Sequence, residues 1–349
     1  MTNRPVIDNT YLTEILVELL KIPSPTGYAQ DAIAYCADQF KALGLAPNLS
    51  IKGSVNATIM GTDSDQPRAF SAHADTLGAV VKEIKPNGRL KLSRIGAFAW
   101  QTVEAESCQI FTHEGRTIHG SVLPIKASYH IYSKEVETGK RDDDAMEVRL
   151  DEQTHAADDT RSLGIRVGDF VAFDPRVVVS DAGFIRSRHL DDKACVACLL
   201  TAAKALKDAG ITPTQRTTFH ISNFEEVGHG GSVDLPDDLH DLVVVDMAAV
   251  GEGQASDEFH ATICVKDSTG PYHSALTHQL IDVAKNAGLN LHRDIYDYYG
   301  SDGSAYWRAG GQARVALIGP GVDASHHYER THLQALIATV QLILAYVMQ

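Results

Sequence analysis

The chain has 349 residues, 44% of them hydrophobic and 22% charged, a composition typical of globular proteins with a substantial core. Its 45 acidic residues outnumber its 31 basic ones, and the net charge of -14 argues against nucleic acid or an anionic membrane as a partner. No apolar run approaches the roughly 20 residues that a membrane span needs. The opening MTNRPVIDNT lacks the apolar core of a signal peptide, so we expect a cytoplasmic location.

The N-terminal region predicts two helices followed by two strands. In TYLTEILVELLK the apolar residues recur at helical spacing, and the prolines at positions 23 and 25 end the helix. A second helix is predicted over residues 28–43, with Gly44 just after its last turn. The segments NATIMG and RAFSAHAD are then predicted as short strands.

Residues 78–175 predict an inserted all-β, barrel-like domain. KEIKPNGRLKL has the pattern of a hairpin, with Asn87 and Gly88 as its turn. RTIHGSVLPI and DFVAFDP are further strand candidates. The charged run KEVETGKRDDDAMEVRLDE lies between them and is predicted to be a solvated loop.

The alternation of helices and strands resumes after residue 190. Helices are predicted over residues 191–209, in HSALTHQLIDVAKNAG, and from about residue 331. Strands are predicted over residues 217–224, 242–246 and 261–265, near 294–299, and over 314–319. This pattern predicts an α/β fold in which helices flank a central mixed sheet. The main domain would comprise residues 1–77 together with 176–349.

The chain has five cysteines, an odd number that is spread thinly along the sequence. Cys195 and Cys198 form a CxxC pair inside a predicted helix, and no second CxxC completes a zinc knuckle. We therefore predict that they are buried core thiols, with redox or metal chemistry as the alternative.

Histidine and acidic residues gather at the ends of predicted strands and helices, where α/β sheets build their sites. In FSAHAD, His73 and Asp75 are two positions apart in a strand and project from the same face. A carboxylate beside a histidine can orient a metal ligand, although a structural hydrogen-bonded pair has the same pattern. In HLDDK, Asp191 and Asp192 open a helix, and Asp192 is predicted as the N-cap, which leaves Asp191 for another role.

Two adjacent glutamates end the apolar segment TTFHISNF. Because successive side chains leave a strand in opposite directions, Glu225 and Glu226 are predicted to do different work, one as a metal ligand and one facing a water. Two surface glutamates at the start of a loop are the alternative. Asp246 follows three valines at the end of a buried strand, where burying an unpaired carboxylate costs on the order of several kcal/mol. A bound cation would offset that cost.

The C-terminal segment DASHHYERTH adds three histidines, His326, His327 and His332, which could equally lie in a solvated loop. Together with the acidic residues they suit a pair of divalent cations. Imidazole and carboxylate ligands without thiolate favour zinc, with cobalt or manganese as alternatives. Two such ions about 3.5–4 Å apart can share a carboxylate and activate a water. A neighbouring glutamate would then carry the proton to the leaving amine.

The motifs SAHAD, HLDDK, FEEVG, VVVD and DASHHYERTH, in this order, resemble those of the dinuclear-metal aminopeptidases of metallopeptidase family 42. That family includes glutamyl and deblocking aminopeptidases, some of which assemble into tetrahedral particles, and relatives once labelled cellulases or endoglucanases. The resemblance covers nearly the whole chain. It implies a phosphorylase/hydrolase-like fold of the zinc exopeptidase type, in which residues 78–175 are a dimerisation module.

The resemblance also implies two divalent metal ions per subunit and a role for each candidate residue. One ion would be held by His73, Asp191 and Asp246, and the other by Asp191, Glu226 and His326. Glu225 would be the general base, and Asp75 would orient His73. This chain departs from the family at the last ligand, where SHHYE leaves His326 and His327 as alternatives and we prefer His326.

These patterns predict a homo-oligomeric metalloaminopeptidase, a dimer or a tetrahedral dodecamer, that removes N-terminal residues from short peptides. A deacylase or carboxypeptidase on the same scaffold is an alternative, because fold does not determine substrate. Another alternative is a catalytically silent assembly protein or a metal-free glycosidase. The histidines in the motifs argue against a glycosidase, because two-carboxylate glycosidases need no histidine ligands. The segment GSDGS lacks the spacing of a serine-hydrolase nucleophile motif.

Overall fold

We describe residues 5–349 from a computed structural model of the chain. The chain divides into two compact units. One consists of the residues up to Asp75 together with Arg176–Gln349, and the other of Thr76–Pro175. Within the described residues, every helix is too short or too polar to cross a membrane.

The first unit begins with two helices and three strands. They are α1 (Asn9–Lys21), α2 (Gln30–Ala42), β1 (Asn48–Leu49), β2 (Val55–Ile59) and β3 (Asp63–His73). Asp8 caps α1 by accepting a hydrogen bond from the N–H of Tyr11 at 3.0 Å. Gly44 follows α2 with a φ of +75°, the left-handed conformation that commonly ends a helix.

The second unit contains a closed barrel of six strands and three short α-helices. They are β4 (Gly78–Ile84), β5 (Leu90–Ile95), β6 (Ser107–Phe111), β7 (Thr117–Pro124), α3 (Tyr129–Tyr132), α4 (Lys134–Thr138), β8 (Met146–Leu150), α5 (Ala157–Ser162) and β9 (Phe170–Phe173). The barrel order is β4–β5–β8–β7–β6–β9, and the predicted hairpin joins β4 to β5 with Gly88 at a φ of +80°. The barrel confirms the expected β architecture, although the short helices were not anticipated.

The charged run that was predicted to be a solvated loop is not one. It contains α4 and β8. Met146, Val148 and Leu150 alternate along β8 and are buried in the barrel core, which accounts for strand formation. Glu147 is also buried, and it is compensated by ion pairs with Lys85 and Arg89.

The rest of the chain returns to the first unit and alternates between strands and helices. The elements are β10 (Val178–Val179), β11 (Phe184–Ser187), α6 (Leu190–Asp208), β12 (Gln215–Ser222), β13 (Asp241–Val245), β14 (Ala248–Val250), β15 (Ala261–Asp267), β16 (Gly270–Pro271), α7 (Ser274–Ala287), β17 (Leu291–Ile295), α8 (Asp302–Arg308), β18 (Arg314–Asp323), β19 (Glu329–His332) and α9 (Leu333–Val347). The strand predicted near residues 294–299 is displaced toward the N-terminus, because β17 pairs with β15 only as far as Ile295.

The strands of this unit form one mixed sheet, as predicted. Strands β12, β3, β13 and β18 lie side by side and run parallel, while β2 and β15 are antiparallel to them. Ser222 at the end of β12 pairs with His73 at the end of β3. The carboxyl ends of β12, β3 and β13 therefore meet at one edge of the sheet, the position where α/β sheets place their sites.

Both faces of this sheet are covered. Val243 and Val245 pack with residues of α1, α2, α6 and α9 on one face. Leu242 and Val244, at the alternate positions of β13, pack with Tyr306 and Trp307 on the other. Cys195 and Cys198 are free and buried in the first of these cores, as predicted. A rigid, doubly covered sheet thus supports the residues at its carboxyl edge.

Candidate metal centre

His73 is the last residue of β3 and is only 2% exposed. Its Nε2 lies 3.1 Å from Oδ1 of Asp191. Its Nδ1 is hydrogen-bonded to the backbone carbonyl oxygen of Asp75 at 2.9 Å, a contact that fixes the ring orientation. The Asp75 carboxylate is 3.7 Å from Nδ1. Residue 75 thus contacts His73 through its main chain, whereas the sequence suggested its side chain.

The Asp75 carboxylate instead binds the segment that carries the two glutamates. Its oxygens accept hydrogen bonds from the N–H of Glu225 at 3.2 Å and of Glu226 at 3.3 Å. The hydroxyl of Thr26 donates a third hydrogen bond at 2.7 Å. Asp75 therefore connects the end of β3 to the turn after β12.

Asp191 lies at the start of α6, where its backbone has non-helical angles. Its two carboxylate oxygens face two different histidines: Oδ1 faces His73, and Oδ2 lies 3.2 Å from Nε2 of His326. A carboxylate with one oxygen toward each of two imidazoles has the geometry of a bridging ligand. Asp192, predicted as an N-cap, accepts a hydrogen bond at 3.2 Å from the N–H of His73 and so connects α6 to β3.

The two glutamates do not lie in a strand, which corrects the reason given for their separation. Strand β12 ends at Ser222, and Glu225–Val227 form a short 3-10 turn. The Oε2 atom of Glu225 is 3.6 Å from Nε2 of His73, and that of Glu226 is 3.6 Å from Nε2 of His326. The turn rather than strand alternation thus directs each glutamate toward a different histidine.

The glycine-rich segment after this turn is held by Asp302, a residue that the motifs did not identify. Asp302 is 1% exposed and accepts hydrogen bonds from the N–H of Gly231 at 2.6 Å and from the hydroxyls of Ser71 and Ser222. A Cβ atom on Gly230 would lie 2.3 Å from Oδ1 of Asp302, so the close approach requires glycine.

His229, which had no predicted role beyond the pocket wall, stacks on Phe224 in the same segment. The ring centroids are 5.2 Å apart, and the planes are inclined by 19°. The ammonium of Lys52 contacts the carbonyl oxygens of His229 and Gly230. His229 therefore helps to close the turn that carries the two glutamates.

Asp246 and His326 complete two groups of potential ligands. Asp246 directly follows β13, and His326 has a φ of +60° in the loop before β19. In each group the ligand atoms lie within 4.8 Å of one another: His73, Asp191 and Asp246 in one, and Asp191, Glu226 and His326 in the other. The two groups share Asp191.

The neighbouring histidines point elsewhere. The exposed His327 accepts a hydrogen bond on its own Nδ1 from the N–H of Tyr328 at 2.7 Å. His332 caps α9, with Nδ1 accepting from the N–H of Gln334 and Nε2 bonded to the carbonyl oxygen of Ala182. The structure therefore brings His326, and not these two residues, next to Asp191.

A third group of ligand-type residues consists of Asp257, His260 and His292. Its two imidazole rings are stacked, with centroids 4.5 Å apart and planes inclined by 28°. Nitrogen lone pairs lie in the plane of an imidazole ring, so two stacked rings do not direct them at a common point. Nδ1 of His260 is already bound to both carboxylate oxygens of Asp257.

The centre contains many more acidic than basic side chains. The carboxyl groups belong to Asp75, Asp191, Asp192, Glu225, Glu226, Asp246, Asp302 and Glu329. The basic groups near them include the imidazoles of His73 and His326 and the ammonium groups of Lys193 and Lys52. Such an excess of buried negative charge is costly unless protons or cations neutralise it.

The ionisation of these groups reflects that excess. Burial, together with the negative charge of Asp191, raises the pKa of Glu226 to about 8 and that of Asp246 to about 7. Burial also raises the pKa of Glu225 well above its ordinary value. Burial acts in the same direction on Asp191, but hydrogen bonds from His326 and His73 outweigh it and lower its pKa.

The residues present fit divalent cations. Among the described residues, Oε1 of Glu226 and Oδ1 of Asp192 are buried without a hydrogen-bond partner, which is unusual for carboxylate oxygens. The donor set of both groups consists of imidazole nitrogen and carboxylate oxygen. Zinc and neighbouring transition metals prefer such ligands.

The sequence is similar to those of known peptidases. Residues 53–342 match the model of the family described as M42 glutamyl aminopeptidase. The candidate aminopeptidase YhfE of Bacillus subtilis (strain 168) is 46% identical over 334 residues, 96% of each chain. Sequence similarity therefore extends over both units.

Solved structures show the same fold. The TET aminopeptidase from a marine sediment Thaumarchaeota archaeon (SCGC AB-539-E09) superposes with a TM-score of 0.86 at 18% identity, covering 97% of each chain. The TET1 peptidase of Pyrococcus horikoshii superposes with a TM-score of 0.85 at 18% identity, covering 97% of this chain and 99% of the other. The chain belongs to the M42 glutamyl aminopeptidase family and is a peptidase.

Proposed function

We propose that this protein is an aminopeptidase that uses two divalent metal ions to release N-terminal residues from short peptides. The observation that carries the proposal is the position of Asp191, whose two oxygens face His73 and His326 and belong to both ligand groups. One ion would be held by His73, Asp191 and Asp246, and the other by Asp191, Glu226 and His326. Zinc suits these donors, and cobalt and manganese are alternatives.

Two such ions, when bound, supply a polarised water and a Lewis acid for the scissile carbonyl. Glu225 takes the proton from the attacking water and delivers it to the leaving amine. The position of Glu225 beside His73, outside both ligand groups, supports this role. Asp75 holds the Glu225–Glu226 turn and orients His73 through its carbonyl oxygen.

We also propose that the chain forms a homo-oligomer, either a dimer or a tetrahedral dodecamer, through residues 78–175. The TET1 peptidase of Pyrococcus horikoshii can assemble into a tetrahedron or a large octahedral shell, and its fold is similar over nearly the whole chain. The cytoplasmic location stays a prediction.

A panel of aminoacyl chromogenic substrates and short peptides, with free or acetylated N-termini, tests the activity. The purified protein should cleave the free-amine substrates, lose that activity in a chelator and regain it with zinc, cobalt or manganese. An aminopeptidase recognises the free α-amine, so acetylation should abolish cleavage.

Unchanged cleavage of acetylated substrates would favour the deacylase or carboxypeptidase alternative. Chelator-insensitive release of sugars would instead favour a glycosidase. Bound-metal analysis of the same preparation should give two ions per chain.

A further inference from the structure

Glu329 occupies the first position of β19 and is 1% exposed. Each of its carboxylate oxygens accepts one backbone hydrogen bond. Oε2 accepts from the N–H of Asp191 at 3.1 Å, and Oε1 from the N–H of His326 at 2.9 Å. One side chain thus joins two segments that are far apart in the sequence.

The two residues joined in this way also face each other through their side chains, since Nε2 of His326 lies 3.2 Å from Oδ2 of Asp191. Neither residue has a helical backbone conformation. His326 has a φ of +60°, and Asp191 has a φ of -74° and a ψ of 102° at the beginning of α6. An N–H at such a position needs a partner outside the helical or strand hydrogen-bond pattern. Glu329 supplies that partner for both residues.

Burying the Glu329 carboxylate beside Asp191 opposes folding, because like charges repel at short range in a protein interior. Two hydrogen bonds from backbone N–H groups offset part of this cost. A neutral glutamine would avoid the repulsion, but its NH2 group would replace one of the two oxygens, and that group is a donor that cannot accept a hydrogen bond from the N–H facing it. The carboxylate is therefore the group that the double contact requires.

The hydrogen bond from the N–H of His326 to Glu329 also distinguishes His326 from His327. The N–H of His327 donates to the carbonyl oxygen of Ala324 at 3.0 Å, and its ring accepts from Tyr328. Glu329 accepts from the N–H of His326, three residues before it in the sequence, and the His326 ring faces Asp191.

We propose that Glu329 is a positioning residue that fixes Asp191 and His326 as a ligand pair and thereby selects His326 over His327. This inference rests on the proposed function, since it takes these two residues as metal ligands. Glu329 does not itself bind the ion. It acts through the main chain of the two residues that do.

The variant Glu329→Gln tests the proposal because it keeps the size of the side chain and removes one acceptor. Residues that hold metal ligands in place typically contribute on the order of 10–100-fold to metal affinity. We expect one of the two ions to be lost on the order of 10–100-fold more readily in titrations with a chelator. The absorption bands of the cobalt-loaded protein should also shift, since they report ligand geometry.

The matched control is Glu258→Gln. Glu258 binds the guanidinium of Arg330, the residue after Glu329, at 2.7 and 2.8 Å. This variant removes an acidic group that contacts the next residue of β19 without touching either N–H contact. It should retain both ions with wild-type affinity and an unshifted cobalt spectrum.

The proposal would be overturned if Glu329→Gln retained both ions as tightly as the wild type and its cobalt spectrum did not shift. If the wild-type protein itself binds fewer than two ions, the proposed function fails, and that result is distinguishable from failure of the positioning role. A crystal structure of the zinc-loaded wild type provides a second test that does not depend on the folding of a variant. It should retain both N–H contacts of Glu329 at about 2.7–3.2 Å, and coordination of zinc by Glu329 would contradict the proposal.

Discussion

At the scale of single residues, the acidic side chains of the centre divide into those that face a histidine and those that hold the backbone. Asp191 and Glu226 lie against His326, and Glu225 lies against His73. Asp75 and Asp302 accept hydrogen bonds from backbone N–H groups of the segment that carries the glutamates. Residues of the second kind fix the positions of the first, and a shift of about 1 Å at a reacting group can cost on the order of 100-fold in rate.

The first prediction concerns Glu225. The variant Glu225→Gln should bind two ions and unfold at the wild-type temperature, because Glu225 belongs to neither ligand group. Turnover should fall by roughly 10²–10⁴-fold, the usual contribution of a general base. Steady-state kinetics and metal analysis check this result. The exposed Glu252, changed to glutamine, serves as a control and should have no effect. Near-normal turnover of the metal-loaded Glu225 variant would remove the general-base assignment.

The second prediction separates the adjacent histidines. His326→Ala should retain one ion per chain and lose most of its activity, since the His326 ring faces Asp191 and Glu226. His327→Ala should retain both ions and full activity, since the His327 ring is exposed and bonded to the neighbouring backbone N–H. Plasma emission analysis of metal per chain distinguishes the two variants. The reverse pattern would transfer the ligand role to His327.

At the scale of secondary-structure elements, an ion pair at the opposite edge of the sheet joins β13, β18 and α9. The guanidinium of Arg314 donates two hydrogen bonds to Asp241, at 2.6 and 2.8 Å, and the hydroxyl of Tyr346 donates another at 2.5 Å. Arg68 donates to the carbonyl oxygen of Tyr346 and lies over its ring. These contacts hold the last helix against the starts of two central strands.

The third prediction is a pH dependence of stability that arises from Asp241. Burial acts to raise the pKa of this carboxyl group, but hydrogen bonds from Arg314 and Tyr346 outweigh it and leave the pKa lowered. Because its pKa is lower in the folded state, the ionised carboxyl group stabilises the fold at pH values above its ordinary pKa of about 4. This stabilisation is lost as the pH falls through the folded-state pKa. Asp241→Asn should therefore lower the free energy of unfolding by about 2 kcal/mol at pH 7.

Urea unfolding of the metal-free protein between about pH 6 and pH 3 measures this effect. The difference between wild type and Asp241→Asn should shrink below about pH 4, where the wild-type carboxylate becomes protonated. Asp238→Asn is the control, because Asp238 forms an ion pair with Arg216 at the surface, where such pairs contribute little. A difference that stays constant across this range would contradict the assignment.

At the scale of the whole molecule, the chain combines a peptidase unit with a separately folded barrel. The barrel of residues 76–175 has its own hydrophobic core, formed by residues such as Val81, Leu90, Ile110 and Val148. The ligand groups and Glu225 all belong to the other unit. This division is consistent with an assembly role for the barrel that is distinct from the chemistry.

The fourth prediction follows from that division. The full-length protein should have a mass that is a multiple of the 37.8 kDa chain, two for a dimer or twelve for a tetrahedral particle. A chain in which a short Gly-Ser linker replaces residues 76–175 should form an oligomer of fewer chains, or a monomer, and should still bind two ions. Light scattering coupled to size exclusion, with metal analysis, checks both. An unchanged oligomer would place the assembly contacts in the other unit.

Local sequence patterns determined most of the secondary structure, because hydrophobic periodicity reports which face of an element is buried. The helical stripe of α1 and the Asn87–Gly88 hairpin follow from neighbouring residues alone. Strand β8 did not follow, since its charged neighbours concealed the alternation of three apolar residues that the barrel buries. The resemblance of five motifs indicated the family that the comparisons then showed.

The sequence by itself determined which acids and imidazoles are candidates, since most of them stand at the end of an apolar strand or beside a helix start. Only the tertiary structure decided which atoms meet: His326 rather than His327 beside Asp191, and the carbonyl rather than the carboxylate of Asp75 on His73. It also brought in Asp302 and Glu329, which accept hydrogen bonds from the N–H groups of Gly231, 71 residues away, and Asp191, 138 residues away. Hydrogen bonds over such separations depend on how the strands are ordered in the sheet, and no local pattern of residues records that order.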